Sequence, residues 1–190
     1  MKNKTLLAFV IVSSLINVAF LVFLFLFFAF DGKQPYLALF ITFLMFAYHI
    51  DIRLLSGVLV SLFKGKIDID KKAHRISEKE YGRLRKLKVK EWKGRFPTLF
   101  KKQFSLTAPG GVDEVLRNCI NAEIVHWFCL FLGLGAIPLG CLLSFDELWL
   151  YILTSLLALL FLDLPFILIQ RYNRFRLYEV KDRLEAREKL

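Results

Sequence analysis

In the stretch "CINAEIVHWF", Glu123 and His126 stand three residues apart, which puts them on one face if the segment is helical. Asp163, in "LFLDLPFILIQRYNR", is a further ionisable residue within an apolar run. Such residues are costly inside a bilayer and are functional-site hypotheses by default. With a rise of about 1.5 Å per residue, His126 and Asp163 each fall about 10 Å inside their spans, if these begin near Cys119 and end near Gln170. A carboxylate beside an imidazole is how acyl transfer activates a hydroxyl, so His126 is read as general base, oriented by Glu123 or Asp163. Two blander readings stand beside this one. Glu123 and His126 reach the interface with Trp127 as a headgroup-level anchor, or Asp163 and Pro165 mark a polar packing contact between helices. Cys119 shares the Glu123 stripe but is two turns from His126, and a cysteine in a span is ordinarily a small hydrophobe.

Two other clusters carry chemistry. "YHIDIR" supplies Tyr48, His49, Asp51 and Arg53, which are either interfacial residues or a second wall of the same cavity. "QRYNRFR", residues 170–176, ends an apolar run; as a membrane anchor it needs only its arginines and Tyr172, so Gln170 and Asn173 exceed that need. Helical continuation sets Gln170, Asn173 and Arg174 on one face, the mouth of a site whose floor is His126 and Asp163. The three cysteines, at 119, 129 and 141, match neither a disulfide framework nor a zinc pattern, and no metal site is read. Phosphate-loop, dinucleotide-binding, zincin and hydrolase-elbow motifs are absent.

The elements that must position these groups are apolar. Of 190 residues, 56% are hydrophobic and 20 are Phe, far from a soluble-domain profile. Residues 5–30 carry no charge and exceed the roughly 20 residues a membrane-crossing helix needs. That run is too long and too Phe-rich for a cleaved signal peptide. A second run extends from Pro35 to Phe63 with Asp51 and Arg53 inside it, and reads either as one long span or as a span plus an interfacial helix. A third covers about Cys119 to Phe145 and a fourth about Leu148 to Ile169. The expectation is an all-α integral membrane protein of about four transmembrane helices.

Lysine and arginine set the orientation, because positive loops stay cytoplasmic. Residues 64–118 hold 16 of the 27, residues 170–190 hold 7 and the first four residues 2. Both termini and the large basic loop are therefore expected in the cytoplasm. The net charge of +10 is a topology signal and an attraction to anionic headgroups; it is also suited to a phosphorylated, anionic co-substrate. Nucleic acid is not expected of a loop tied to the bilayer at both ends. In that loop Ser77 stands three before Glu80, a capping-box spacing, and Tyr81, Leu84 and Leu87 follow at helical intervals, predicting an interfacial amphipathic helix. "APGG", 108–111, signals a turn, and residues 112–121 lead helically into the third span. The expected organisation is a transmembrane hairpin over 1–63, the basic loop over 64–118, a second hairpin with the polar site over 119–170, and a basic helical tail over 171–190.

"AEIVHW" at 122–127, "PFILIQRYNRFRL" at 165–177 and "VKEWKGRFP" at 89–97, in this order and spacing, resemble the glycosyl-diaponeurosporenoate acyltransferases of bacterial carotenoid synthesis, over roughly residues 75–178. The resemblance implies a small bacterial cell-membrane enzyme that moves a fatty acyl group onto a sugar hydroxyl of a glycosylated carotenoid. Its signature falls on Trp92, Lys93, Glu123, His126, Trp127, Gln170, Arg171, Tyr172, Asn173 and Arg174. The chain departs from the family pattern at Phe175, where the family has proline, at Glu91, where it has a basic residue, and at Asp163, where it has an amide.

Together these readings predict a membrane O-acyltransferase with no resident cofactor and with acyl-CoA or a similar acyl thioester as co-substrate. Arg171, Asn173, Arg174, Trp92 and Lys93 would serve the donor's phosphates and the developing oxyanion. The partners expected are membrane lipid and a lipid-soluble glycosylated acceptor, a carotenoid or glycolipid. The alternatives are a non-catalytic lipid-binding or assembly protein and a small membrane methyltransferase.

Overall fold

The computed structural model describes residues 4–30, 32, 34–96, 111–143 and 145–189. Among these the chain is helical, without strands. In order come α1 (Lys4–Ala29), α2 (Gln34–Leu62), α3 (Glu78–Lys86), α4 (Val89–Trp92), α5 (Gly111–Leu143), α6 (Leu148–Ala158) and α7 (Leu164–Glu188). A π-helical turn, Leu159–Asp163, joins α6 to α7. Four stretches are long and apolar enough to cross a membrane: Val10–Ala29, Gln34–Val60, Gly111–Leu142 and Leu148–Glu188. The expected all-α class and count of four are thus present. The second apolar run is one continuous helix rather than two. The turn signal at 108–110 lies outside the described residues.

The chain divides into two compact units, Met1–Ser56 with Phe128–Asp163, and Gly57–Trp127 with Leu164–Leu190. In the first, α1 is apolar on every side, and Leu15, Phe25 and Phe28 point outward. An all-round apolar helix with exposed leucines and phenylalanines requires an apolar solvent. At its end Gly32, at φ +73°, takes a left-handed conformation and donates its N–H to the Phe27 carbonyl at 2.8 Å. The α1–α2 hairpin is held by stacked rings, Phe20 on Phe40 and Phe23 on Phe43 with centroids 5.5 and 5.1 Å apart. Ile41, Met45, Ala136, Leu150 and Tyr151 form the core of this unit. Gly140 permits the close α5–α6 approach: a Cβ there would lie 2.5 Å from the Tyr151 ring.

Deeper in the first unit the packing turns polar. The Tyr48 hydroxyl donates to the Leu132 carbonyl at 2.7 Å, and the Ser155 hydroxyl to the Gly133 carbonyl at 3.1 Å. His49 is buried, with its Nε2 3.4 Å from Ser155 Oγ. Its ring fits because Gly133 has no Cβ; one would lie 3.1 Å from the imidazole. Arg53 donates to the His49 carbonyl and pairs at 2.6 Å with Asp163, which is 1% exposed. Asp163 closes the π turn just before Pro165, a residue with no N–H to continue the helical ladder, and such widened turns arise where that ladder is interrupted.

The second unit gathers residues of the basic segment around α7. Ser77 caps α3, accepting from the Glu80 N–H at 3.3 Å as its spacing predicts. The single amphipathic helix expected over 77–96 is, however, broken. Lys88 adopts a left-handed backbone at φ 54°, after which α4 begins. The corner leaves Leu87 56% exposed and turns Val89 fully inward, and the Leu87 carbonyl accepts from the Trp92 indole at 2.9 Å. Leu84, Val89, Ile169 and Tyr172 then share one core, while Ile69, Leu116, Ile120 and Tyr178 share another. Charge pairs fasten the rim: Arg75 makes two 2.9 Å bonds to Asp182, and Lys181 reaches Asp70 at 3.0 Å and Asp113 at 3.1 Å.

Candidate active site

The second unit brings most of the signature side chains together. Glu123, on α5, is buried, and its two oxygens lie 2.7 Å from Arg171 Nη1 and 2.7 Å from Arg174 Nη2. Arg171 and Arg174 are three apart on α7, so both guanidiniums leave the helix on one side. Arg174 is 4% exposed, a placement a cation tolerates only beside an anion. The outer edge of Arg171 donates to Glu80 of α3 through Nε. Trp127, one turn beyond Glu123, directs its indole N–H to the same carboxylate at 3.4 Å.

Asn173 faces a different neighbour. Its side-chain oxygen accepts from Lys93 Nζ at 2.8 Å, and the same ammonium sits 5.0 Å from the centre of the Tyr172 ring. Thus Gln170, Asn173 and Arg174, expected on one face, do not act as a single row: the two arginines turn to Glu123 and Asn173 turns to Lys93. Gln170 is buried, and its side-chain oxygen has no hydrogen-bond partner among the described residues.

His126 lies flat against Phe166, centroids 4.8 Å apart and planes 7° from parallel. Phe166 meets Phe96 edge-on at 5.5 Å, and Phe96 meets Trp92 likewise at 5.4 Å. An aromatic wall therefore runs from Trp92 to His126, next to a patch rich in cationic donors.

Asp163 belongs to the first unit, where its carboxylate is turned to Arg53; His126 belongs to the second. His49, Asp51 and Arg53 also belong to the first unit, with Asp51 Oδ1 accepting from Asn17 at 3.4 Å. Cys119 is buried.

Burial sets the electrostatics of the outer groups. The Arg171 hydrogen bond holds the Glu80 carboxyl below the usual glutamate range, outweighing the opposing effect of burial. Removal from water lowers the Lys93 ammonium below the usual lysine range, against a smaller opposing influence of Tyr172. Two participants were not legible as such in the sequence, Glu80 and Phe166. Glu80 read only as a cap-box residue, although one buried glutamate facing two arginines leaves a positive charge to be matched.

The fold and these side chains define, among the described residues, a helical protein with membrane-length apolar helices and a cluster of cationic and aromatic side chains around Glu123. A family model described as glycosyl-4,4'-diaponeurosporenoate acyltransferase matches residues 69–183, more than half of the chain. The chain belongs to that family. The match contains every signature residue from Trp92 to Arg174, whereas His49, Asp51 and Arg53 lie before it. Searches of curated proteins and of solved structures found no match.

Proposed function

We propose that the protein is a bacterial cell-membrane O-acyltransferase that moves a fatty acyl group from an acyl thioester to a sugar hydroxyl of a glycosylated carotenoid or glycolipid at the cytoplasmic face. Family membership supports the acyl transfer. The observation that carries the site assignment is the Glu123 carboxylate shared by Arg171 and Arg174 beside the Lys93–Asn173 pair and His126. The charge distribution supports a cytoplasmic basic segment, both termini included, and its attraction to anionic headgroups.

In this reading Arg171 and Lys93 hold the phosphates of a thioester donor such as acyl-CoA, with the buried Arg174–Glu123 pair as the floor beneath them. His126 takes the proton of the acceptor hydroxyl as its oxygen bonds to the thioester carbonyl carbon. The oxyanion of the tetrahedral intermediate is met by fixed donors from the Asn173 amide or Lys93, each such donor contributing about 2.7–4 kcal/mol of barrier lowering. Collapse breaks the carbon–sulfur bond, and the imidazolium returns its proton to the leaving thiolate. Glu123 positions the arginines. The aromatic wall from Trp92 to His126 offers an apolar surface to the acyl tail or the acceptor.

The test uses purified protein in lipid, a radiolabelled acyl thioester and a membrane lipid extract. Labelled glycolipid or carotenoid ester is expected from wild type. Equal yield from His126→Ala would remove His126 from the mechanism, and no acylated product under any donor would overturn the reading.

A further inference from the structure

Glu80 stands out once charges are counted around Arg171. Two guanidiniums, Arg171 and Arg174, face one buried carboxylate, Glu123. The second carboxylate, Glu80, comes from the first turn of α3 and takes the outer Nε donor of Arg171. The pair is partly open to solvent, with 28% and 29% of the two side chains exposed, while the Glu123 side chain beneath is 7% exposed. Hence the inner pair is a sealed floor and the outer pair is the replaceable layer. A guanidinium offers five N–H donors in a fork that fits carboxylate and phosphate alike. Without Glu80 the floor would present one uncompensated positive charge to the surface, with Lys93 of the same unit as a further cation.

We propose that Glu80 is a specificity-determining residue: its carboxylate is an internal stand-in for the phosphate of the donor, displaced by a multiply charged phosphate group and not by a singly charged carboxylate. This rests on the acyl-thioester reading of the site and gives it a filter. A free fatty acid carries one negative charge and gains nothing by exchanging with Glu80. A pyrophosphate-bearing thioester carries more than one and gains on exchange. The carboxylate of Glu80, held ionised by its partner, is then always present as the competitor at neutral pH.

The experiment is calorimetric titration of inorganic pyrophosphate, and separately of acetate, into the full-length protein in nanodiscs of neutral lipid. Wild type is expected to bind pyrophosphate and not acetate. Glu80→Gln is expected to bind pyrophosphate about tenfold more tightly, about 1.4 kcal/mol, and to begin to bind acetate. Arg171→Gln should lose both. If Glu80 merely fastens α3 to α7, Glu80→Gln lowers the unfolding temperature and leaves pyrophosphate affinity unchanged or weaker, and the proposal fails. Should that variant not fold, Glu80→Asp, one methylene shorter with its charge kept, must still tighten pyrophosphate; unchanged binding overturns the idea. Repeating the titration with phosphatidylglycerol in the disc separates two phosphate sources. The lipid's headgroup carries a single negative charge, so the absence of competition assigns the position to a soluble, multiply charged donor, whereas competition overturns the charge filter. No acyl transfer is measured, so failure of the enzymatic reading and failure of this one are distinguishable.

Discussion

The Glu123 carboxylate lies 2.7 Å from the Arg174 guanidinium, and only 7% and 5% of the two side chains are exposed. Removing one member of such a pair strands the other charge, which typically costs about 3–5 kcal/mol, more than the pair itself contributes. Glu123→Gln is therefore expected to destabilise the second unit by about that amount. Thermal unfolding in detergent, with Arg174→Gln in the same background, checks it: the double variant should recover part of the loss.

For His126 the stacking on Phe166 separates chemistry from packing. His126→Phe keeps a flat ring and should retain the unfolding temperature within a few degrees. Loss of a general base is expected to lower kcat by about 10²–10⁴-fold with little change in donor KM. Radiometric acyl transfer under saturating donor gives both constants.

Lys93 carries a pH signature. Its ammonium is disfavoured by burial, so it deprotonates in the folded protein below the ordinary lysine range. Donor affinity that depends on this cation should fall as pH rises through that lowered value. Stability moves the other way, because the folded state is penalised for holding the charge at lower pH and is relieved of it as pH climbs toward 10.5, the ordinary value. Binding of pyrophosphate between pH 7 and 10 by wild type and Lys93→Arg is the measurement. The arginine variant should stay flat.

In the first unit, Arg53 and Asp163 form a 2.6 Å pair among apolar helices. Asp163→Asn should cost about 3–5 kcal/mol, whereas Arg53→Met combined with Asp163→Leu should restore most of it. Unfolding in detergent distinguishes them. If the double variant also retains acyl transfer, the pair is structural.

Much of the fold was legible because apolar run length is a one-dimensional signal. The uncharged 5–30 run, the span from Pro35 onward and the Ser77 cap all depend on neighbours within a few positions. For Asp163 the reading stopped short for a related reason: rise per residue gives height along a helix but not the direction in which a side chain points. Asp163 turns to Arg53, 110 positions away in sequence, and no local pattern encodes that. Likewise the period of Tyr81, Leu84 and Leu87 was real as far as Lys86, yet burying Val89 required a corner that helical spacing does not announce. The signature residues were found by resemblance and by charge, while Glu80 emerged only when the ion pairs could be followed across elements.

That corner has a practical side. Lys88 holds a left-handed backbone, strained by about 1–2 kcal/mol for a residue with a Cβ and unstrained for glycine. Glycine loses more freedom on folding, which leaves a net gain of about 0.5–1 kcal/mol. Lys88→Gly, at an exposed position, should raise the unfolding temperature by a few degrees. The bend that interrupts the surface helix is thus also the place where a sturdier protein for biochemistry is one substitution away.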